Sequence, residues 1–410
     1  MILGLLLTAM FVAAFSMVAK RLSTTALTAP MLFIAFGLLM SKTGLLALSE
    51  MEKTLELVAE IALVILLFLD AAKTDLDALR ARFVWPARML LIGLPLSIVF
   101  GSIAAWILLP TWPLVALILA AAILAPTDAA LGQAVVSNPV VPERARRALT
   151  VESGLNDGLA LPFILLFASL TANAMDAGDT NWLLFGAKQL LLGPLAGAAF
   201  GLMAGVMLLW AKEREYTSDI YEGVGAIALA LAAYLGATAI GGNGFIAAFI
   251  AGLCFGGIVK DRCEFIFEFT ESEGQGLTWG AFFLLGLVLV PEAIVHLTVP
   301  SLALILASLF IVRPLAIWLS LIGSDASPLT RLFFGWFGPR GLATALFALM
   351  VVGEINAEFG EPILHLAVNA VWISALLHGL SAVSGAKWYA ERVNKMGQCA
   401  EIAPEHEPEH

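Results

Sequence analysis

The chain has 410 residues, 60% hydrophobic and 13% charged, with a formal net charge of -10 and a mean hydropathy of +0.93. An ordinary soluble domain carries about 25% charged residues, so a soluble globular protein is excluded and an all-α polytopic membrane protein is indicated. The acidic balance offers no basic patch for nucleic acid, and Cys254, Cys263 and Cys399 are odd in number and lack the spacing of a zinc site or a disulfide framework.

Hydropathy predicts thirteen transmembrane helices, at 2–19, 27–48, 55–72, 84–109, 113–137, 146–172, 182–211, 219–239, 243–259, 276–294, 298–322, 328–353 and 363–386. A span needs ~20 apolar residues to cross ~30 Å of hydrocarbon. The first lacks a basic n-region and a small-residue cleavage site, so it reads as a span and not as a removable signal peptide. Residues 1–390 then form one transmembrane domain. Residues 391–410 form a short acidic tail, where Glu401, Glu405, Glu407 and Glu409 alternate with Pro and His and disorder is expected.

Short cytoplasmic loops collect Lys and Arg. Assigning the loops after odd-numbered spans to the cytoplasm places 17 of the 22 basic residues there, including Arg80, Arg82, Arg144, Lys260, Arg331 and Lys395. Lys42, Lys53 and Lys188 stay on the outer side, and Arg313 and Arg340 fall inside spans. The N-terminus is therefore expected outside and the C-terminus in the cytoplasm. Thirteen spans divide into a first repeat (1–172), a seventh linker span (182–211) and a second repeat (219–390) that runs in the inverted sense, an arrangement common in transporters.

Two spans carry the signs of interruption. In the fifth, Ala125-Pro126-Thr127-Asp128 combines a residue without a backbone donor with two side chains that compete for backbone partners. In the twelfth, its symmetry mate, Gly335-Trp336-Phe337-Gly338-Pro339-Arg340-Gly341 surrounds an arginine with glycines and a proline. Crossed, interrupted helices would place positive half-helix ends beside Asp128 and negative ends beside Arg340. The alternative is a simple proline kink in each.

The sixth span holds Glu152-Ser153-Gly154-Leu155-Asn156-Asp157-Gly158. A carboxylate in hydrocarbon costs several kcal/mol, and intramembrane acids usually line ion or proton pathways; a helix-packing hydrogen bond is the plainer alternative. Asp157 lies ten residues past Arg147 and Arg340 nine past Arg331, which puts them ~15 and ~13 Å inward, at one depth. Gly193, Gly197, Gly201 and Gly205 recur every fourth residue in the seventh span and are read as close helix packing within one protomer, with helix pairing between protomers as the alternative. His296, His365 and His378 are read as packing or surface residues, with pH sensing as the alternative.

Pro126-Thr127-Asp128, Glu152 through Asp157, and Gly338-Pro339-Arg340-Gly341 occur in an order and in spans that resemble the sodium/proton antiporters of the electroneutral branch of the cation/proton antiporter superfamily. The resemblance covers about 1–390. It implies that Asp157 alternately binds a cation or a proton, with Ser153 and Thr127 as further oxygen ligands of Na+, Asp128 at the helix crossing and Asp70 approaching the ion through water. It also implies that Asn156 braces the unwound segment, that Glu152 pairs with Arg340, and that Arg313 balances charge. Asp70 stands where relatives more usually have Glu, and Ala129 where many have Pro. Neutral Asn156, where electrogenic relatives have a second Asp, implies one cation per proton.

The implied activity is exchange of Na+ or Li+ for H+ by alternating access in a prokaryotic plasma membrane, by a homodimer, serving pH homeostasis and sodium tolerance, with no cofactor beyond the transported ions. Exchange of K+ for H+ is the alternative within the class. An intramembrane aspartyl protease using Asp128 and Asp157 is disfavoured because its Gly-x-Gly-Asp signature is absent. A passive channel suits an interrupted midplane helix less well than alternating access does.

Overall fold

The structure, a computed structural model, describes residues 2–22, 25–46, 48–73, 84–173, 182–259, 262–396 and 399–402. Arg80, Arg82, Lys260, Glu405, Glu407 and Glu409 lie outside the described residues. All regular structure among the described residues is helical. The helices are α1 (Ile2–Leu22), α2 (Ala29–Thr43), α3 (Leu48–Ala72), α4 (Val84–Leu108), α5 (Leu114–Ile123), α6 (Ala129–Val136), α7 (Glu143–Asn173) and α8 (Trp182–Glu213). They continue with α9 (Asp219–Ala239), α10 (Gly244–Val259), α11 (Glu264–Leu284 with its extensions Leu285–Leu289 and Val290–Val295), α12 (Val299–Ser320), α13 (Pro328–Trp336), α14 (Leu342–Val352) and α15 (Ala357–Lys395). Among the described residues, eight helices are long and apolar enough to cross a membrane. Large apolar side chains such as Leu191, Leu195, Met203 and Val206 stay exposed along α8, as a lipid-facing surface requires.

Three helices contain a π turn, at Met89–Gly93 in α4, Leu285–Leu289 in α11 and Ser308–Val312 in α12. Each ends two residues before a proline: Pro95, Pro291 and Pro314. A helical proline removes one backbone donor and pushes against the carbonyl four residues earlier. Those carbonyls belong to Leu91, Leu287 and Phe310, the middle residue of each π turn. A widened turn accommodates the ring without breaking the helix.

The break expected in each of the two proline-bearing segments is present. Leu124–Asp128 separates α5 from α6, and Phe337–Gly341 separates α13 from α14. In both parts of the chain the break follows a π-turned helix, α4 before one and α12 before the other. This shared device is invisible as sequence identity, because it depends on where proline falls.

The glycine stripe of α8 faces α10 of the same chain. A methyl group at Gly197 or Gly201 would run into the backbone carbonyls of Ala247 and Ala251, so the stripe serves packing within one protomer. The tail departs from the expected disorder at residues 399–402. Glu401 is buried, and its Oε1 accepts from the Ser327 N–H (3.0 Å) and the Thr330 hydroxyl (2.6 Å) at the start of α13. The first turn of that helix has backbone donors without intrahelical partners, and an acidic side chain in a tail can satisfy them. Arg144 holds the preceding residue by donating to the Ala400 carbonyl (2.9 Å), while its other contacts are Asp325 (2.7 Å) and the Trp85 ring (3.8 Å to the centroid).

Candidate functional site

The two breaks lie against each other and exchange hydrogen bonds. The Asp128 N–H donates to the Pro339 carbonyl (2.9 Å), and Asp128 Oδ2 accepts from the Leu342 N–H (2.8 Å). Asp128 thus caps the start of α14, where free N–H groups and the helix dipole favour a negative charge. In the other direction Arg340 Nη1 donates to the carbonyls of Ala125 (2.6 Å) and Pro126 (3.1 Å), at the end of α5 where the dipole is negative. The approach is close enough that glycine is required at two positions. A Cβ on Gly341 would overlap the Asp128 carboxylate, and one on Gly338 would overlap the Arg313 guanidinium.

The expected pairing of Glu152 with Arg340 is corrected by the structure. Glu152 is held by Arg313, whose Nη1 and Nη2 donate to its two carboxylate oxygens at 2.9 and 3.0 Å. Both residues are 3% exposed. Arg313 begins the helical segment just past the π turn of α12, which brings it to the break at Phe337–Gly341, and its Nη2 also reaches the Phe334 carbonyl at 3.4 Å. A planar guanidinium matches a carboxylate at two points. With Glu152 taken, Arg340 satisfies the end of α5 and, through Nη2, the Ser308 hydroxyl (3.2 Å). Two arginines at one depth cannot be told apart by depth, so spacing along the chain does not reveal the partner.

Glu152, Ser153, Asn156 and Asp157 share one side of α7, because residues three and four apart lie side by side on a helix. Asn156 Nδ2 donates to Thr127 Oγ1 (2.5 Å), and Thr127 Oγ1 lies 3.4 Å from Ser153 Oγ. Thr127, Ser153 and Asn156 therefore meet at the unwound segment of the fifth span. Asp157 follows directly, half-buried, with its Oδ1 buried and unpartnered; Asn156 Oδ1 is also buried without a partner. Asp157 is within electrostatic reach of Asp128, Asp70 and Glu152. Asp70 is exposed on α3, within electrostatic reach of Asp128. Asp128 takes part in the crossing, with one oxygen on the Leu342 N–H.

Sequence reasoning passed over two residues that support Arg340, Ser374 and Ser308, and read a third beside them, His378, as a packing or surface residue. The Arg340 N–H donates to Ser374 Oγ (2.7 Å). Ser374 Oγ also lies 3.1 Å from His378 Nδ1, which is 3.0 Å from the Ser374 carbonyl, and His378 Nε2 lies 2.8 Å from the Trp336 carbonyl. Ser374 and His378 are four residues apart on α15, and that spacing is a signal the sequence carries. Ser308, within a π turn, carries none.

A buried carboxylate oxygen with no partner is unusual, because buried polar atoms are nearly always hydrogen-bonded. Asp157 directly follows Asn156, whose carboxamide oxygen is also without a partner, and lies four residues past Ser153, whose hydroxyl meets that of Thr127. The set contains one charge and several neutral oxygens. Such donors suit a small hard cation, and the same carboxylate can instead take a proton.

A family model described as sodium/hydrogen exchanger, transmembrane, matches residues 6–388. Among curated proteins, the K(+)/H(+) antiporter NhaP2 of Shewanella oneidensis is 29% identical over 401 residues, covering 94% of this chain and 66% of that one. The same-named protein of Shewanella sp. strain ANA-3 is 29% identical over 372 residues, covering 87% of this chain and 62% of that protein. The chain thus spans less than two thirds of the length of these relatives. A probable Na(+)/H(+) antiporter 2 of Methanocaldococcus jannaschii is 25% identical over 350 residues, covering 79% and 78% of the two chains. The solved sodium proton antiporter MjNhaP1 from Methanocaldococcus jannaschii superposes with a TM-score of 0.76 at 20% identity, over 97% of this chain and 99% of that one. This last likeness speaks for the fold. With broken helices crossing beside an intramembrane aspartate and a family match over nearly its whole length, the chain belongs to the sodium/hydrogen exchanger family of multi-pass membrane proteins.

Proposed function

We propose that the chain is a secondary antiporter exchanging Na+ or Li+ for H+ by alternating access, with Asp157 as the shared site and Thr127 and Ser153 as further cation ligands. The observation that carries this reading is the buried, unpartnered Asp157 Oδ1 on the helix whose Ser153 and Asn156 meet Thr127 at the break. Cation and proton compete for one carboxylate, so each is released as the other binds. The empty ionised site is costly to carry across an apolar barrier, whereas the loaded site is near neutral, and this difference makes the exchange obligatory.

Asn156 is neutral and donates to Thr127, so the site carries one negative charge and the exchange is one cation per proton. Asp128 and Arg340 compensate the helix ends, and Asp70 on α3, within electrostatic reach of Asp128 and Asp157, approaches the ion through water. The protein works as a homodimer in a prokaryotic plasma membrane, crossing it thirteen times with the N-terminus outside and the C-terminus in the cytoplasm. It does no bond-breaking chemistry.

Exchange of K+ for H+ is the second reading, favoured by the names of the Shewanella relatives. Both are tested by reconstituting the purified protein in liposomes with a trapped pH dye and an imposed proton gradient. Na+ or Li+ is expected to collapse the gradient, and Asp157→Asn to abolish the response. If K+ alone collapsed it, the sodium reading would fail; if Asp157→Asn remained active, the site assignment would fail.

A further inference from the structure

We propose that Glu292, His296 and His365 form a binding site for one divalent transition-metal ion of the zinc type, bridging the end of α11 to the start of α15. Each residue offers one ligand atom, and these atoms lie within 4.8 Å of one another. A tetrahedral ion with bonds of ~2.0–2.1 Å holds its ligand atoms about 3.4 Å apart. Glu292 and His296 are exposed and His365 half-buried, so their side chains have room to close that difference.

The donor chemistry is selective. Imidazole nitrogens suit Zn2+, Ni2+ and Cu2+, whereas Na+, Mg2+ and Ca2+ take oxygen ligands. Two histidines and one glutamate are a known zinc ligand set that leaves one position for water.

A second observation concerns the proton on His296. Its Nδ1 lies 3.0 Å from the backbone carbonyl of Glu292. A carbonyl only accepts, so Nδ1 carries the hydrogen and Nε2 keeps its lone pair. Metal-binding histidines characteristically donate their other ring nitrogen in this way, which fixes both tautomer and ring orientation. The two rings stack face to face, with centroids 4.5 Å apart and planes within 5°. Each histidine also has a glutamate four residues earlier, Glu292 before His296 and Glu361 before His365, and both acids are within electrostatic reach of His365. The two carboxylates balance a 2+ charge.

The site is separate from the Asp157 cluster and its test needs no transport. The protein, purified without a histidine tag and stripped of metal, is titrated with Zn2+ alone by calorimetry, with thermal unfolding measured in parallel. One equivalent is expected to bind and to raise the unfolding temperature. His296→Ala and His365→Ala should each weaken binding on the order of tenfold or more, with Glu292→Gln weakening it less. The sequence holds two further histidines near its C-terminus, His406 and His410, so the double variant His406→Ala/His410→Ala serves as control and should bind as wild type. Zn2+ affinity unchanged in a His296→Ala/His365→Ala protein that unfolds at the wild-type temperature without metal would overturn the proposal, as would loss of binding in the control.

Discussion

Glu152 and Arg313 stand 161 residues apart in the chain and meet as a two-pronged buried ion pair, at 2.9 and 3.0 Å. The pair joins α7, which carries Asn156 and Asp157, to the π-turned α12. Removing one partner leaves the other charge buried and unmatched, at a cost of about 3–5 kcal/mol. Arg313→Ala and Glu152→Gln are therefore each expected to lower the unfolding temperature sharply. The double variant Glu152→Gln/Arg313→Met should recover part of the loss. A cycle pairing Glu152 with Arg340 instead should show much weaker coupling. Thermal unfolding of the purified variants checks all three, and a larger coupling to Arg340 would contradict the geometry.

Gly338 and Gly341 touch Arg313 and Asp128 where any Cβ would overlap them. Gly338→Ala should disrupt the Glu152–Arg313 fork, and Gly341→Ala the cap of α14. Both should be destabilised by about 1–3 kcal/mol as the crossing shifts to relieve the overlap. At Gly353 a methyl group would point into open space, with nothing within 4 Å of it, so Gly353→Ala serves as a comparison and is expected near wild type. Equal unfolding temperatures for all three variants would rule out the crossing as described.

Thr127 is the hydrogen-bond acceptor for Asn156. Thr127→Val keeps the shape and removes the acceptor, leaving the Asn156 amide buried and unpaired at a cost of about 1–3 kcal/mol. Thr127→Ser retains the hydroxyl and should stay close to wild type. If the hydroxyl is also a cation ligand, Thr127→Val raises the cation concentration for half-maximal exchange and Thr127→Ser does so far less. Dye-based exchange over a range of Na+ concentrations separates the two.

Glu401 ties the tail to α13 and is sensitive to acid. Burial raises its carboxyl, but the hydrogen bonds from Thr330 and Ser327 outweigh this and hold it below its ordinary 4.5. Its folded value is depressed, so the contact contributes fully above about pH 4.5 and is lost as pH falls through the folded value. Asp325 behaves alike: burial raises it, and the hydrogen bonds from Arg144 and Trp85 lower it further than burial lifts it. Hydrogen exchange of the C-terminal peptide, corrected for intrinsic rates, should show protection at pH 7 that is progressively lost as the pH is lowered below 4.5. Glu401→Gln should lose protection already at pH 7. Equal protection throughout would show that Glu401 does not hold the tail.

The sequence by itself determined that the chain is helical and membrane-spanning, because burial in hydrocarbon demands long apolar runs and leaves little tolerance for charge. It also located the breaks, since Pro126 and the Gly338-Pro339 pair remove backbone hydrogen bonds locally, and it marked Asp157 through the cost of a charge in that setting. Only the tertiary structure decided which arginine meets Glu152. Arg313 and Arg340 are chemically identical, and the choice rests on the π turn before Pro314, on the room that Gly338 leaves, and on carbonyls at the end of α5 that need a donor. The docking of Glu401 and the support of Arg340 by Ser374 and His378 are of the same kind. Local chemistry specifies which groups need partners, and only packing brings the distant partner within reach.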